Sequence, residues 1–181
     1  MVIAFAGRRI DSPTADTQRF PPGNERLVAD RMRRRFRELD GRTLVGSAAC
    51  GSDLLAHEAA RDLGIRSVVV LPWARERFRE QSVVDRGGDW GERFDRIVDD
   101  AESRGALRVL GLQDEGDSAY AATNHAILDL ARELAQVNQP ADSVVAVVAW
   151  DGQSRGSSDF TERFILAAGE RAIGIVEIMT R

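Results

Sequence analysis

Residues 46–53 read Gly46-Ser47-Ala48-Ala49-Cys50-Gly51-Ser52-Asp53, directly after a short β-branched run and directly before a helical pattern. Small residues at such a strand-to-helix turn let backbone N–H groups approach an anion at a helix N-terminus, so this segment is a candidate phosphate cradle. A tight turn capped by Ser52 explains the same residues without a ligand. Asp53 would repel a phosphate, but its carboxylate can accept from a ribose hydroxyl. Asp53 and His57 stand four residues apart, on one helix face, where a carboxylate can raise an imidazole pKa and fix its tautomer. A purely structural Asp–His contact is the simpler reading. Cys50 lies near a helix N-terminus, a place that lowers thiol pKa values. No base accompanies it, which favours a packed thiol.

Three other segments carry chemistry. Gly7-Arg8-Arg9 closes the first apolar run, and a guanidinium there can grip a phosphate bidentately. Trp73, just past Leu71-Pro72, can stack on a base or pack a wall. Ser154 to Glu162 combines Gly156, Ser157, Ser158 and Thr161, candidates for phosphate contact. It also holds Asp159-x-x-Glu162, a capping box that needs no ligand. The dense run Arg31, Arg33, Arg34, Arg35 and Arg37 resembles a nucleic-acid patch. Its apolar partners Val28, Met32 and Phe36 repeat at helical spacing, so the arginines fall on the solvated face.

Composition limits how any of these sites can work. The chain has 181 residues, 43% hydrophobic and 30% charged, with net charge −4, and all 25 basic residues are arginine. Without lysine there is no Schiff base, no P-loop lysine and no kinase strand lysine. Any anion must be held by backbone amides, hydroxyls or arginine. One cysteine excludes an intrachain disulfide and a cysteine-rich metal site, and His57 and His125 lack metal-ligand spacing, so no metal is expected. The acidic balance argues against general nucleic-acid binding. No apolar run reaches 18 residues and no signal-like segment follows Met1, which predicts a soluble, cytoplasmic chain without a membrane partner.

The elements that must position these residues alternate. Strands are predicted at Val2–Ala6, Arg42–Val45, Ser67–Leu71, Arg108–Gly111, Val144–Trp150 and Ile173–Ile178, several apolar on successive positions as in strands covered on both faces. Helical patterns run through Leu27–Leu39, Leu55–Leu63, Phe94–Val98, Ile127–Leu134 and Phe164–Ala168. The alternation predicts one α/β domain over residues 1–181, a Rossmann-like three-layer sandwich with a mostly parallel sheet of about six strands. The proline-rich stretch Asp11 to Gly23 is expected to be a surface loop. In such sheets ligands bind outside the strand carboxyl ends, where the candidate residues lie.

Gly46 to Ala60, with its G-x-A-x-G-x-D-x-x-A-H core, followed by Val68-Val69-Val70-Leu71-Pro72, resembles a Rossmann-like superfamily. That superfamily unites the DNA-processing protein A family, the Lonely Guy (LOG) cytokinin-activating enzymes and the SLOG sensor domains. Leu71-Pro72-Trp73 with Phe78 and Ser82, and Gly7-Arg8-Arg9, look SLOG-like. So do Asn124 to Asp129, then Asp142 and Val144–Trp150. LOG enzymes carry Pro-Gly-Gly-x-Gly-Thr-x-x-Glu where this chain reads Asp151 to Glu162 without the double glycine. Asn124 stands where their arginine is expected.

The resemblance implies that strand five returns beside strand one, so that the loops after strands one, two and five share a crevice. It implies a nucleotide or nucleotide-derived ligand bound there and no required cofactor. Amides of Ser47–Gly51 and Gly156–Ser158 would hold phosphate, with Arg8 or Arg9 neutralising it. Asp53 or Asn124 would orient ribose, and Trp73 would flank the base. Two alternatives stay open: a LOG-like N-glycosidase acting on nucleoside monophosphates through Glu162 or Asp159, and a single-stranded DNA binder. A homodimer is suggested by analogy with LOG proteins alone.

Overall fold

The computed structural model describes residues 1–113, 116–137, 143–156 and 158–181. Ser157 and Asp142 of the sequence reading therefore lie outside the described residues. Six strands, β1 (Val2–Gly7), β2 (Thr43–Gly46), β3 (Arg66–Leu71), β4 (Leu107–Val109), β5 (Val144–Trp150) and β6 (Gly174–Met179), form one sheet. Its order is β4-β3-β2-β1-β5-β6, and each pairing is parallel. β1 lies between β2 and β5, with Val2 in register with both Thr43 and Val144. The six predicted strands are present with ends shifted by a residue or two, because backbone pairing rather than side-chain type decides where a strand stops.

Helices α1 (Glu25–Glu38), α2 (Ser52–Asp62) and α4 (Trp90–Ser103) lie side by side on one face. α5 (Asp117–Val137) and α6 (Phe160–Glu170) pack together on the other. Right-handed crossovers impose this division: connections running from β1 towards β4 put helices on one side, and the return to β5 puts them on the opposite side. α1 buries Val28, Ala29, Met32 and Phe36, and Phe36 meets Phe5 of β1 edge to face at 6.3 Å. Val28, Met32 and Phe36 each contribute roughly 1.5–3 kcal/mol by leaving water. Its arginines lie outward, Arg33 bonded to Asp30 and Asp62 and Arg35 to Glu38, so the arginine run is a solvated face.

Two features depart from the expectation. A further helix, α3 (Arg75–Ser82), follows β3; it is too polar to show a periodic stripe and is anchored by Phe78, whose ring stacks on Phe94 at 6.0 Å. The stretch from Asp11 to Gly23 is irregular, as expected, but closed rather than loose. Asp11 accepts from the backbone N–H of Arg19 and Phe20, and the Phe20 side chain is fully buried. No helix among the described residues is long and apolar enough to cross a membrane.

Candidate functional site at the strand carboxyl ends

A cleft of about 610 Å³ opens at the carboxyl ends of β1 and β2. This is where the chain, having built β2 to β4 on one side of β1, crosses to β5 on the other, the position at which doubly wound sheets bind ligands. Gly7, Ser47 and Ala49 form its floor. Arg8, Arg9 and Arg19 come from the first loop, Arg86 from beyond α3 and Arg155 from the loop after β5. Phe78, Tyr120 and Phe160 supply aromatic surface, and Thr123, Asn124, Ser158 and Thr161 supply polar groups.

Arg8 does not hang free in this cleft. Its guanidinium is buried, donating to Asp159 at 2.6 Å, to Asp151 at 3.2 Å and to the Gln153 carbonyl at 2.6 Å. Arg19 donates to the second Asp151 oxygen at 2.8 Å. Arg8 therefore ties the end of β1 to the loop after β5 instead of waiting as a phosphate cation. Arg9 is bound to Asp85 and lies 3.4 Å from Cys50 Sγ. Burial raises the Cys50 thiol pKa against the opposing charge of Arg9. Cys50 is thus a packed thiol, outside the cleft lining.

The turn expected to cradle phosphate uses part of its amides within the chain. Ala49 N–H donates to Asp53 Oδ2 at 3.2 Å, Cys50 N–H to the Ser82 carbonyl at 3.0 Å, and Ser52 N–H to the Arg8 carbonyl at 3.0 Å. Asp53 thus occupies the turn in the manner of a bound anion. Ser52 is not the helix cap: Gly51 holds that position, and the buried Ser52 hydroxyl has no partner. Gly46, Ala48, Gly51 and Ser52 serve the turn and do not line the cleft.

Asp53 does line it, and its carboxyl is unusual. Burial pushes its pKa up to about 7, opposed by the amides of Ala49 and Gly7 and by the charge of Arg9. A carboxyl near half-protonation in a cleft can donate or accept a proton at neutral pH. Asp53 and His57 do not pair. His57 binds the Ser47 carbonyl through Nε2 at 2.9 Å, and burial lowers its pKa to about 4.

The loop after β5 is built by Asp159. Fully buried, it accepts from the N–H groups of Thr161 and Glu162 as the α6 cap, and from Arg155 N–H at 2.8 Å. Glu162 does not complete the box, because the Asp159 N–H donates to the Gly156 carbonyl; the Glu162 carboxylate meets the Ser154 hydroxyl instead. Neither acid, each a candidate catalytic group in the sequence, lines the cleft. Gly156 also stays outside the lining.

No protein-family model matches this chain, and no curated protein matches it. Among solved structures it is similar to DNA processing protein A (DprA) from Streptococcus pneumoniae, with a TM-score of 0.54 at 15% identity. The match covers 97% of this chain and 49% of that one, so the chain spans about half of that protein's length. The shared feature is the fold: the Rossmann-like arrangement expected from the sequence is present.

Of the expected ligand residues, the fold brings Gly7, Arg8, Arg9, Ser47, Asp53, Asn124, Ser158 and Thr161 to one cleft. Trp73 is buried and acts from behind, its ring edge to face with Tyr120 at 5.5 Å. Tyr120, also 5.1 Å from the Phe160 ring and bonded through its hydroxyl to Ser82, presents the aromatic surface instead. Tyr120, Phe160, Arg19, Arg86 and Arg155 carry no motif. Their only sequence signal is residue type, and tertiary packing alone brings them together.

Proposed function

We propose that the cleft binds a nucleotide or a nucleotide-derived ligand. The observation that carries this reading is the meeting of arginines with aromatic rings in one concave site at the topological switch point. Its volume falls within the roughly 300–1,000 Å³ usual for small-molecule pockets. Arg155 has its pKa lowered, first by burial and then by the charges of Arg8 and Arg19, against the opposing pull of Asp159 and Asp151. A phosphate would relieve that repulsion. Arg19 and Arg155 are the cations placed to do so, with Arg8 as their frame. Asp53 and Asn124 would meet ribose hydroxyls, and Tyr120 and Phe160 would stack the base.

Calorimetry against AMP, ADP, cyclic AMP, NAD and ADP-ribose tests this, with saturable binding of at least one expected and lost on Tyr120→Ala. No binding to any would sink the proposal. Steep salt dependence with an oligonucleotide in place of the nucleotides would favour single-stranded DNA, in keeping with the name of the structural neighbour.

A second reading, cleavage of an N-glycosidic bond, is favoured by one observation: the Asp53 carboxyl with its pKa near 7 lines the cleft. Asp53, not Glu162 or Asp159, would then be the acid–base group. Release of free base from AMP should be abolished by Asp53→Asn and preserved in Glu162→Gln; intact AMP after long incubation would remove this reading.

A further inference from the structure

A second cavity, of about 250 Å³, lies at the opposite side of α2 from the cleft floor, between that helix, the start of β3 and α4. Arg61, Arg66, Arg96 and Arg104 line it together with His57 and Ser67. Arg104 pairs with Asp100, the carboxylate that also lines the cavity. Among the described residues Arg61, Arg66 and Arg96 have no ion-pair partner.

Two residues of this lining each carry a buried side-chain atom without a hydrogen-bond partner, His57 Nδ1 and Ser67 Oγ. His57 is only 2% exposed. Its Nε2 faces the Ser47 carbonyl, which can only accept, so Nε2 carries the ring proton and Nδ1 is a bare acceptor. Leaving such an atom unpaired is costly, and a group that donates to it would remove that cost. The surrounding guanidinium groups call for an anion. A single small group satisfies both demands only if it is an oxyanion that still carries a proton.

We propose that this cavity is a second binding site, for a protonated phosphate group, either inorganic phosphate or a small phosphate monoester. The phosphate O–H would donate to His57 Nδ1, Ser67 Oγ would donate to a phosphate oxygen, and Arg61, Arg66 and Arg96 would supply the charge.

The chain has two histidines, His57 and the exposed His125, so imidazole nitrogen resonances report the site cleanly. Inorganic phosphate, methyl phosphate and sulfate are titrated at a fixed pH of about 6, where phosphate keeps a proton that sulfate lacks. We expect His57 Nδ1 to shift saturably with phosphate while His125 stays still, with sulfate binding about tenfold more weakly for want of one charged hydrogen bond. Methyl phosphate binding as well as phosphate identifies a monoester site, and weaker binding an inorganic phosphate site. Arg66→Ala and Ser67→Ala should each weaken binding about tenfold, and Arg155→Ala, in the larger cleft, should leave it unchanged. Arg66 is exposed, so its replacement leaves folding intact and keeps the test decisive. A His57 signal that stays still or never saturates, survives Arg66→Ala unchanged, or is abolished by Arg155→Ala overturns the proposal.

Discussion

Asp53 and His57 share a helix face yet answer pH in opposite directions. The folded Asp53 carboxyl keeps its proton up to about 7, whereas an ordinary aspartate loses it near 3.8. Between those values the folded state binds more protons than the unfolded chain, so this group's contribution to stability falls as pH rises. His57 is lowered to about 4 from an ordinary 6.5, so the unfolded chain binds the proton first and stability rises with pH across that window. Asp53→Asn removes the first slope and leaves the second. Its stability relative to the parent should climb between about pH 4 and pH 7, by at most about 1.4 kcal/mol per unit, and level off above. Urea denaturation at a series of pH values measures this, and a difference that does not vary with pH would contradict it. Arg8 makes a separate case at this scale. Truncating it takes their shared buried cation from two fully buried carboxylates, leaving Asp151 with Arg19 and Asp159 with backbone amides, so Arg8→Met should cost about 3–5 kcal/mol in the same assay. A loss below about 1 kcal/mol would mean that Arg19 alone neutralises that pair.

At the scale of elements, the junction between β1, the turn after β2 and α2 is held by close backbone approach. Gly51 has φ +98°, and a Cβ there would lie 2.3 Å from the Ile10 nitrogen; Gly7 faces Ser52, whose Cβ would lie 2.5 Å away. These glycines were legible as ligand-loop residues by type, but the reason for them is packing of one loop against another. Gly51→Ala should destabilise by more than about 2 kcal/mol, combining left-handed strain with a backbone clash. Gly156→Ala, with φ +81° and open space around it, should cost about 1 kcal/mol, from strain alone. Equal losses in thermal denaturation would remove the clash from the account. The strands were legible because short, β-branched apolar runs such as Val144–Trp150 fit a strand covered on both faces. α3 was not, since Phe78 is its one large buried apolar side chain and periodicity needs at least two. The half-made box at Asp159 was legible as a cap, but the diversion of Glu162 to Ser154 depends on how the loop folds.

Across the whole molecule, net charge and site charge have opposite signs: the chain carries −4, while arginines from three separate loops line one cleft. Sequence shows the total and hides the arrangement, because Arg19, Arg86 and Arg155 meet only once β5 has returned beside β1. Gathering like charges is a local cost that a fold keeps when a ligand compensates it. Arg155 bears that cost most visibly, half-exposed beside Arg8 and Arg19, with its pKa lowered. Replacing it separates stability from binding. Arg155→Ala keeps the backbone N–H that Asp159 accepts and removes a half-exposed guanidinium whose 3.8 Å contact with Asp159 is opposed by Arg8 and Arg19, so the melting temperature should hold or rise. Nucleotide affinity should fall about tenfold, as expected for one charged contact to phosphate, and binding should become less sensitive to salt. Calorimetry with the tightest-binding nucleotide at low and high salt, beside a thermal melt, gives both readouts. A lowered melting temperature with unchanged affinity would instead make Arg155 a structural member of the Arg8 network, and the charge in the cleft a feature of the fold alone.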